Sequence, residues 1–190
     1  MNLKNNLKYK RTYAANSGDK PLVDFFIPVL KQSIRYDRIA SYYSSSSLYA
    51  AAEGISGLIL NGGSIRMIMN VVVEDQKDFE AIEKGSISTE DFIDKKILSD
   101  INALEEEIIN DRWKVLSHLI KIDKFQIKVG VVPGNIEHSK IGVFYDESNN
   151  IISFTGSTNE SKSGWTKQSN LINVFNNWNE VKKEYVHDHI

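Results

Sequence analysis

Residues 138–160 read HSKIGVFYDESNNIISFTGSTNE, and the two apolar runs inside this stretch decide the fold. IGVFY and IISFTG each have the length and the β-branched and aromatic content of a short strand, and the polar residues between them form turns. Side chains at i and i+2 of a strand project to one face, so His138 and Lys140 stand side by side with Ser139 turned away. Gly142 keeps that face low while Ile141, Val143 and Tyr145 fill the other, as expected of a central strand buried on both sides. Charged groups leave such a strand only at its end. The second run repeats the arrangement, ending in a Gly-Ser turn where the Ser157 hydroxyl and the Asn159 amide can donate hydrogen bonds to an oxyanion.

Further strands surround this pair. RIASYYSSS alternates like a strand, and SLYAAAEGISGLILNGG carries apolar residues at helical spacing before stopping on Gly62 and Gly63. SIRMIMNVVV reads as a buried strand and EDQKDFEAIEKG as a short helix, which continues a β-α-β-α order and predicts parallel pairing. From Ser88 to about Ile122 the pattern is helical, opened by STED, a capping-box spacing, and carrying an apolar stripe beside an acidic face. FQIKVGVV and NLINVF are two more short strands, and the tail from Asn179 is helical. The expected fold is therefore α/β, a central mixed sheet flanked by helices on both faces. The four serines 44–47 form a hydroxyl-rich turn at a strand end, a place that can line a site.

The bulk properties allow this. The 190 residues suit a single domain, 1–190, with 41% hydrophobic and 25% charged residues as in ordinary globular chains. A net charge of −2 leaves any nucleic-acid contact to a local patch. The absence of cysteine excludes disulfides and thiolate metal sites and suits a reducing cytoplasm. Neither a signal peptide nor a membrane span is visible, so the expected location is cytoplasmic.

The residues at the two strand ends are those that phosphodiester cleavage through a covalent intermediate needs. A neutral imidazole is a competent nucleophile near pH 7, an ammonium neutralises non-bridging oxygens, and hydroxyl and amide donors hold the equatorial oxygens as charge rearranges. No metal or other cofactor is required. A lone H-x-K is by itself an ordinary strand-end triplet. G-S-x-N is expected in only about a few per cent of chains this size, and here it follows H-x-K by a single strand and turn. The pairing carries more weight than either part.

HSKIGVFYD followed by GSTNES resembles the H-x-K...D...G-S-x-N signature of the phospholipase D superfamily. The resemblance implies His138 as nucleophile, Lys140 as phosphate ligand, and Ser157 and Asn159 as supporting donors. Glu160 stands where that family often has an acidic residue to orient a histidine or pair a lysine. One departure is plain: the family's aspartate falls five residues after the lysine, where this chain has Tyr145, and Asp146 follows as an exposed turn residue. The stretch from IASYY to EAIEKG resembles the opening half of the phospholipase D-like domains at the N-terminus of bacterial DEAD/DEAH-type helicases and in some restriction endonucleases, so that the likeness covers most of residues 36–178. It implies a phosphodiesterase acting on DNA, the N-terminal piece of a longer helicase or restriction-type protein with a helicase or ATPase module beyond Ile190. The chain itself contains no G-x-x-x-x-G-K-[ST] phosphate loop. The family mechanism uses two histidines, and the single H-x-K here implies a homodimer in which each copy supplies half a site, the alternative being a second motif in a segment beyond Ile190. The alternatives are a nucleic-acid-binding or targeting module that holds phosphate without cutting, and a phospholipid-processing enzyme, which the lack of a basic amphipathic helix disfavours.

Other residues invite plainer readings. Lys162 and Lys167, near Trp165, and Arg35 and Arg38, about the first core strand, are candidate nucleic-acid contacts. Lys8, Lys10 and Arg11 form a short basic run, which is usually solvent-facing. His118 reads as a helix-surface or partly packed residue, and His187 and His189, with no third ligand nearby, as a solvated tail.

Overall fold

The computed structural model describes residues 1–14, 17–41, 46–71, 115, 118–131, 140–158 and 171–190. The strands are β1 (Thr12–Ala14), β2 (Arg35–Ala40), β3 (Ser64–Val71), β4 (Phe125–Val131), β5 (Ile141–Tyr145), β6 (Ile151–Gly156) and β7 (Leu171–Asn176). The helices are α1 (Ile27–Lys31), α2 (Ser46–Ala50), α3 (Ala52–Leu60) and α4 (Lys183–Asp188). The strands form one seven-stranded sheet in the order β1-β7-β6-β5-β2-β3-β4. Pairing is parallel along β2-β3-β4 and antiparallel elsewhere. The mixed α/β sheet expected from the sequence is thus present, with β5 at its centre.

Alternation decides which side of each strand is buried. Tyr36 of β2, Phe144 of β5 and Phe154 of β6 share one face, and Tyr36 stacks on Phe144 with ring centroids 4.6 Å apart. Phe25 meets both Phe144 and Phe154 edge-on, and Phe26 meets Tyr36 the same way. Such edge-to-face and offset pairs add about 0.5–1.5 kcal/mol each beyond the area they bury. The opposite face is covered at β6 and β7 by the end of α4: His189 Nδ1 lies 2.9 Å from Ser153 Oγ and its ring packs edge-on against Phe175. Ser153 and Phe154 are sequence neighbours and point to opposite faces, so α4 and the Phe25–Phe26 segment lie on the two sides of the sheet.

The sequence reading assigns no element to PLVDFFIPVLK, yet this segment supplies the aromatic lid of the core. A π-helical turn, Leu22–Phe26, runs directly into α1. The Ile27 N–H bonds to the Leu22 carbonyl, one residue further back than in an α-helix. Pro28 explains the wide turn, because its ring lacks an N–H and crowds the carbonyl four residues earlier. A proline inside a short apolar run reads as a breaker, which hides the helix. The three-residue β1 is likewise unassigned in the sequence reading.

At the other end of the chain, α4 confirms a helical tail, in which His187 is exposed as expected while His189 is half-buried. Burial pushes its pKa below the ordinary histidine value, against the opposing pull of Asp188. His118 is exposed on a helical stretch, residues 118–121, beside the buried Leu119. The expected helix over EDQKDFEAIEKG and most of the Ser88–Ile122 helical region lie outside the described residues. No helix among the described residues is long and apolar enough to cross a membrane.

Candidate active site

The two halves of the motif meet at one end of the sheet. Because β5 and β6 are antiparallel, the start of β5 lies beside the end of β6, and the Gly156 N–H bonds to the Lys140 carbonyl at 3.3 Å. The carboxyl ends of the parallel strands β2 and β3 point the same way, the side of an open α/β sheet where ligands commonly bind. Lys140 stands just before β5 and is 9% exposed. Its Nζ lies 3.1 Å from the hydroxyl of Ser41, the residue that follows β2. Ser157 follows β6. Its Oγ accepts from the Leu171 N–H at 3.2 Å, while its own N–H donates to the Leu171 carbonyl at 3.1 Å.

Both glycines of this region are required by close approach. A Cβ on Gly142 would overlap the Phe154 ring, which lies across that position on the buried face. A Cβ on Gly156 would overlap the Leu171 carbonyl oxygen. The glycine of G-S-x-N therefore lets β7 pair tightly at the turn, which sets where Ser157 begins.

Arg38 lies within β2, directly opposite Gly142 in register, and is only 2% exposed. Its guanidinium carbon sits 4.9 Å from the centroid of the Phe154 ring, and its Nη2 donates to the Thr158 carbonyl. A cation over an aromatic face in a desolvated setting is stabilised by about 2 kcal/mol. Arg38 is therefore a residue of the interior, and its guanidinium grips the turn in place of a solvent-facing strand flank. Arg35, three residues earlier, projects from the opposite face at the opposite end of the strand. It lies 3.6 Å over the Tyr145 ring and 3.2 Å from Asp37, which Arg66 also holds through Nε at 2.7 Å. Arg35 does not join Lys140. On that second face a cavity of about 250 Å³ is lined by Asp37, Ile39, Arg66, Lys128, Val143 and His189 among others.

Asp146 corrects one expectation. It closes the turn between β5 and β6 as a turn residue, but it is 2% exposed and lies at the end of the sheet away from Lys140. Its carboxylate accepts from the N–H groups of Leu3, Ser148 and Asn150 and from the Asn150 side chain, at 2.8–2.9 Å. Burial pushes its pKa upward, but these bonds, led by that of the Asn150 side chain, outweigh the effect and hold it below the ordinary carboxylate value. A buried carboxylate with its lone pairs taken by donors is a structural staple.

His138, Asn159, Glu160, Lys162 and Lys167 lie outside the described residues, as do Ser44 and Ser45. Ser46 and Ser47 open α2, and Ser41, before the serine run, meets the Lys140 ammonium. Ser41 and Arg38 are the site residues that the sequence reading missed or misplaced. The available signal was their position at the carboxyl end of a strand expected to pair in parallel. Among the described residues no group of three or more His, Asp or Glu side chains is arranged to hold a metal ion.

No family model matches the chain, and no curated protein matches it. Solved structures do. A yeast tyrosyl-DNA phosphodiesterase is 10% identical, with a TM-score of 0.42 over 76% of this chain and 26% of that one. A polyphosphate kinase from Porphyromonas gingivalis is 8% identical, with a TM-score of 0.48 over 86% of this chain and 22% of that one. The chain thus spans about a quarter of the length of either structure.

Proposed function

We propose that the chain is a metal-independent phosphodiesterase domain that cleaves DNA through a phosphohistidine intermediate, as part of a restriction or helicase-associated system. The observation that carries this reading is the meeting of Lys140 and Ser157 on neighbouring strand ends, across the bond from the Gly156 N–H to the Lys140 carbonyl. The sequence motif and its resemblance supply the rest. The His138 imidazole attacks phosphorus while the ester oxygen departs, and a second histidine protonates that oxygen. Water then attacks the phosphorus–nitrogen bond, losing its proton to the second histidine and releasing His138. Lys140 neutralises the non-bridging oxygens, Ser157 and Asn159 donate to them, and Glu160 orients a histidine or pairs a lysine. Lys162 and Lys167 contact the DNA backbone. The second histidine is His138 of another copy, brought to the opposite side of the phosphate by a two-fold axis.

The test is cleavage of a chromogenic phosphodiester and of DNA, in the presence of EDTA, by the parent and His138→Ala. A folded His138→Ala protein is expected to lose at least about 10³-fold in rate, with the parent indifferent to chelation and able to form an acid-labile phosphoryl adduct. Equal turnover by the variant removes the nucleophile assignment. Strong inhibition by EDTA removes the metal-independent mechanism. A parent that binds DNA without cutting it turns the reading to a phosphate-holding targeting module.

A further inference from the structure

We infer that Arg38 is a positioning residue for the proposed reaction, a guanidinium clamp that sets the G-S-x-N turn from a strand outside the motif. The inference rests on the function proposed above and adds a residue that the motif does not contain.

Three features converge on Arg38. First, Arg38 occupies a position on the aromatic face of β2, between Tyr36 and Ala40, where alternation calls for an apolar side chain. A buried guanidinium is costly unless it is paired and hydrogen-bonded, so its presence in this row calls for an explanation beyond packing. Second, the room for it comes from Gly142. That residue faces Arg38 on β5 and Phe154 on β6, and its missing side chain lets the Phe154 ring lie beneath the guanidinium. Third, the donor is spent on the carbonyl of Thr158, the variable residue of G-S-x-N, 120 positions away in the chain. Thr158 is itself 1% exposed, and its carbonyl immediately precedes Asn159 in sequence.

The turn is consequently held from two sides. Leu171 of β7 holds Ser157 through both its N–H and its carbonyl, and Arg38 holds the next residue. The planar fork of arginine suits this task, since ring stacking and in-plane donation use different parts of one rigid group. Lys140 lies two residues before Gly142, just outside β5 and at the same end of the strand pair to which Arg38 reaches. One β2 segment thus supports both halves of the motif: Arg38 holds the turn after β6, and Ser41 meets the ammonium before β5. Donors to a phosphoryl group act only when they are placed in advance, and a displacement of about 1 Å costs about 100-fold in rate.

The experiment compares the parent with Arg38→Leu and Arg38→Lys by phosphodiester kinetics and by amide hydrogen exchange at Ser157 and Leu171. Leucine fits the apolar row, and lysine keeps the charge without the fork. Both folded variants are expected to lose about 100-fold in kcat with KM nearly unchanged, and the Ser157 and Leu171 amides to lose about tenfold or more of their protection. Unchanged protection in Arg38→Leu overturns the clamp, whatever the rate. Lost protection with full kcat per folded molecule makes Arg38 structural only and overturns its positioning role. Full recovery of both readouts in Arg38→Lys shows that charge suffices and overturns the geometric argument. If the parent does not cleave phosphodiesters, the proposed function fails separately, and the exchange measurement alone upholds or removes the clamp.

Discussion

Strands β5 and β6 lie side by side, and their two shared ends are built on different principles. At the closed end, Asp146 gathers four hydrogen bonds, three of them from residues two to four positions ahead and the fourth from Leu3. Asn149 completes the reversal with φ at 59°, a conformation that asparagine tolerates better than most residues. At the open end, every described contact is remote in sequence. Lys140 meets Ser41 from 99 residues away, the Thr158 carbonyl meets Arg38 from 120, and Ser157 meets Leu171 from 14. A buried carboxylate with local donors is a device for closing a turn. Buried cations held by partners from separate parts of the chain exist as a cluster only once the sheet has formed.

That contrast predicts a double dissociation. Of the variants at these two ends, Lys140→Ala is expected to have the largest effect, lowering phosphodiester cleavage by about 10²–10³-fold, as loss of one charge-stabilising group does, with stability nearly unchanged. Parallel kinetics and thermal melts measure this, and a large fall in melting temperature with normal turnover would make Lys140 a second staple.

Asp146→Ala should do the reverse. It leaves buried N–H groups without an acceptor, and the expected loss is about 2–3 kcal/mol in urea unfolding, with full activity per folded molecule. The same carboxylate gives a pH signature. Its folded pKa lies below the unfolded value of about 3.9, so its stabilisation is complete above that value and is lost as pH falls through the folded pKa. Melts of Asp146→Asn should therefore lose part of the parent's acid-side slope. An unaltered slope would assign it to other carboxylates.

Gly142→Ala tests the middle of the strand, where the two ends are joined by packing. The added methyl overlaps the Phe154 ring, which cannot move freely because Arg38 lies on it. Overpacking of this kind costs about 1–3 kcal/mol. Activity should fall together with stability, since Phe154 supports the Arg38 clamp. Loss of stability with full activity per folded molecule would disconnect the ring from the site.

The sequence legibly contained the elements whose signal is local. SIRMIMNV, FQIKVGV, IGVFY, IISFTG and LINVFN all became strands, because alternation and β-branched content act over a few neighbouring residues, whereas the strand expected over RIASYYSSS starts three residues earlier, at Arg35, and ends at Ala40. The same holds for the turn at Asp146, although its burial was not legible: that depends on Leu3, which sequence distance conceals. PLVDFFIPVLK was obscured by Pro28, whose effect was to widen one turn rather than to end the helix.

By itself the sequence determined every described strand but β1, the β-α-β order that yields parallel pairing, and the identity of the residues suited to phosphate. Only the tertiary structure decided which of those residues share a place. Arg35 and Arg38 look alike in a string of letters, yet three positions along a strand turn them to opposite faces, one onto Tyr145 and Asp37, the other beneath the turn after β6. Ser41 was one serine among several until β2 paired with β5 and set it beside Lys140. The physical reason is that face and turn type are properties of a few consecutive residues, whereas register between strands is chosen by the packing of the whole sheet.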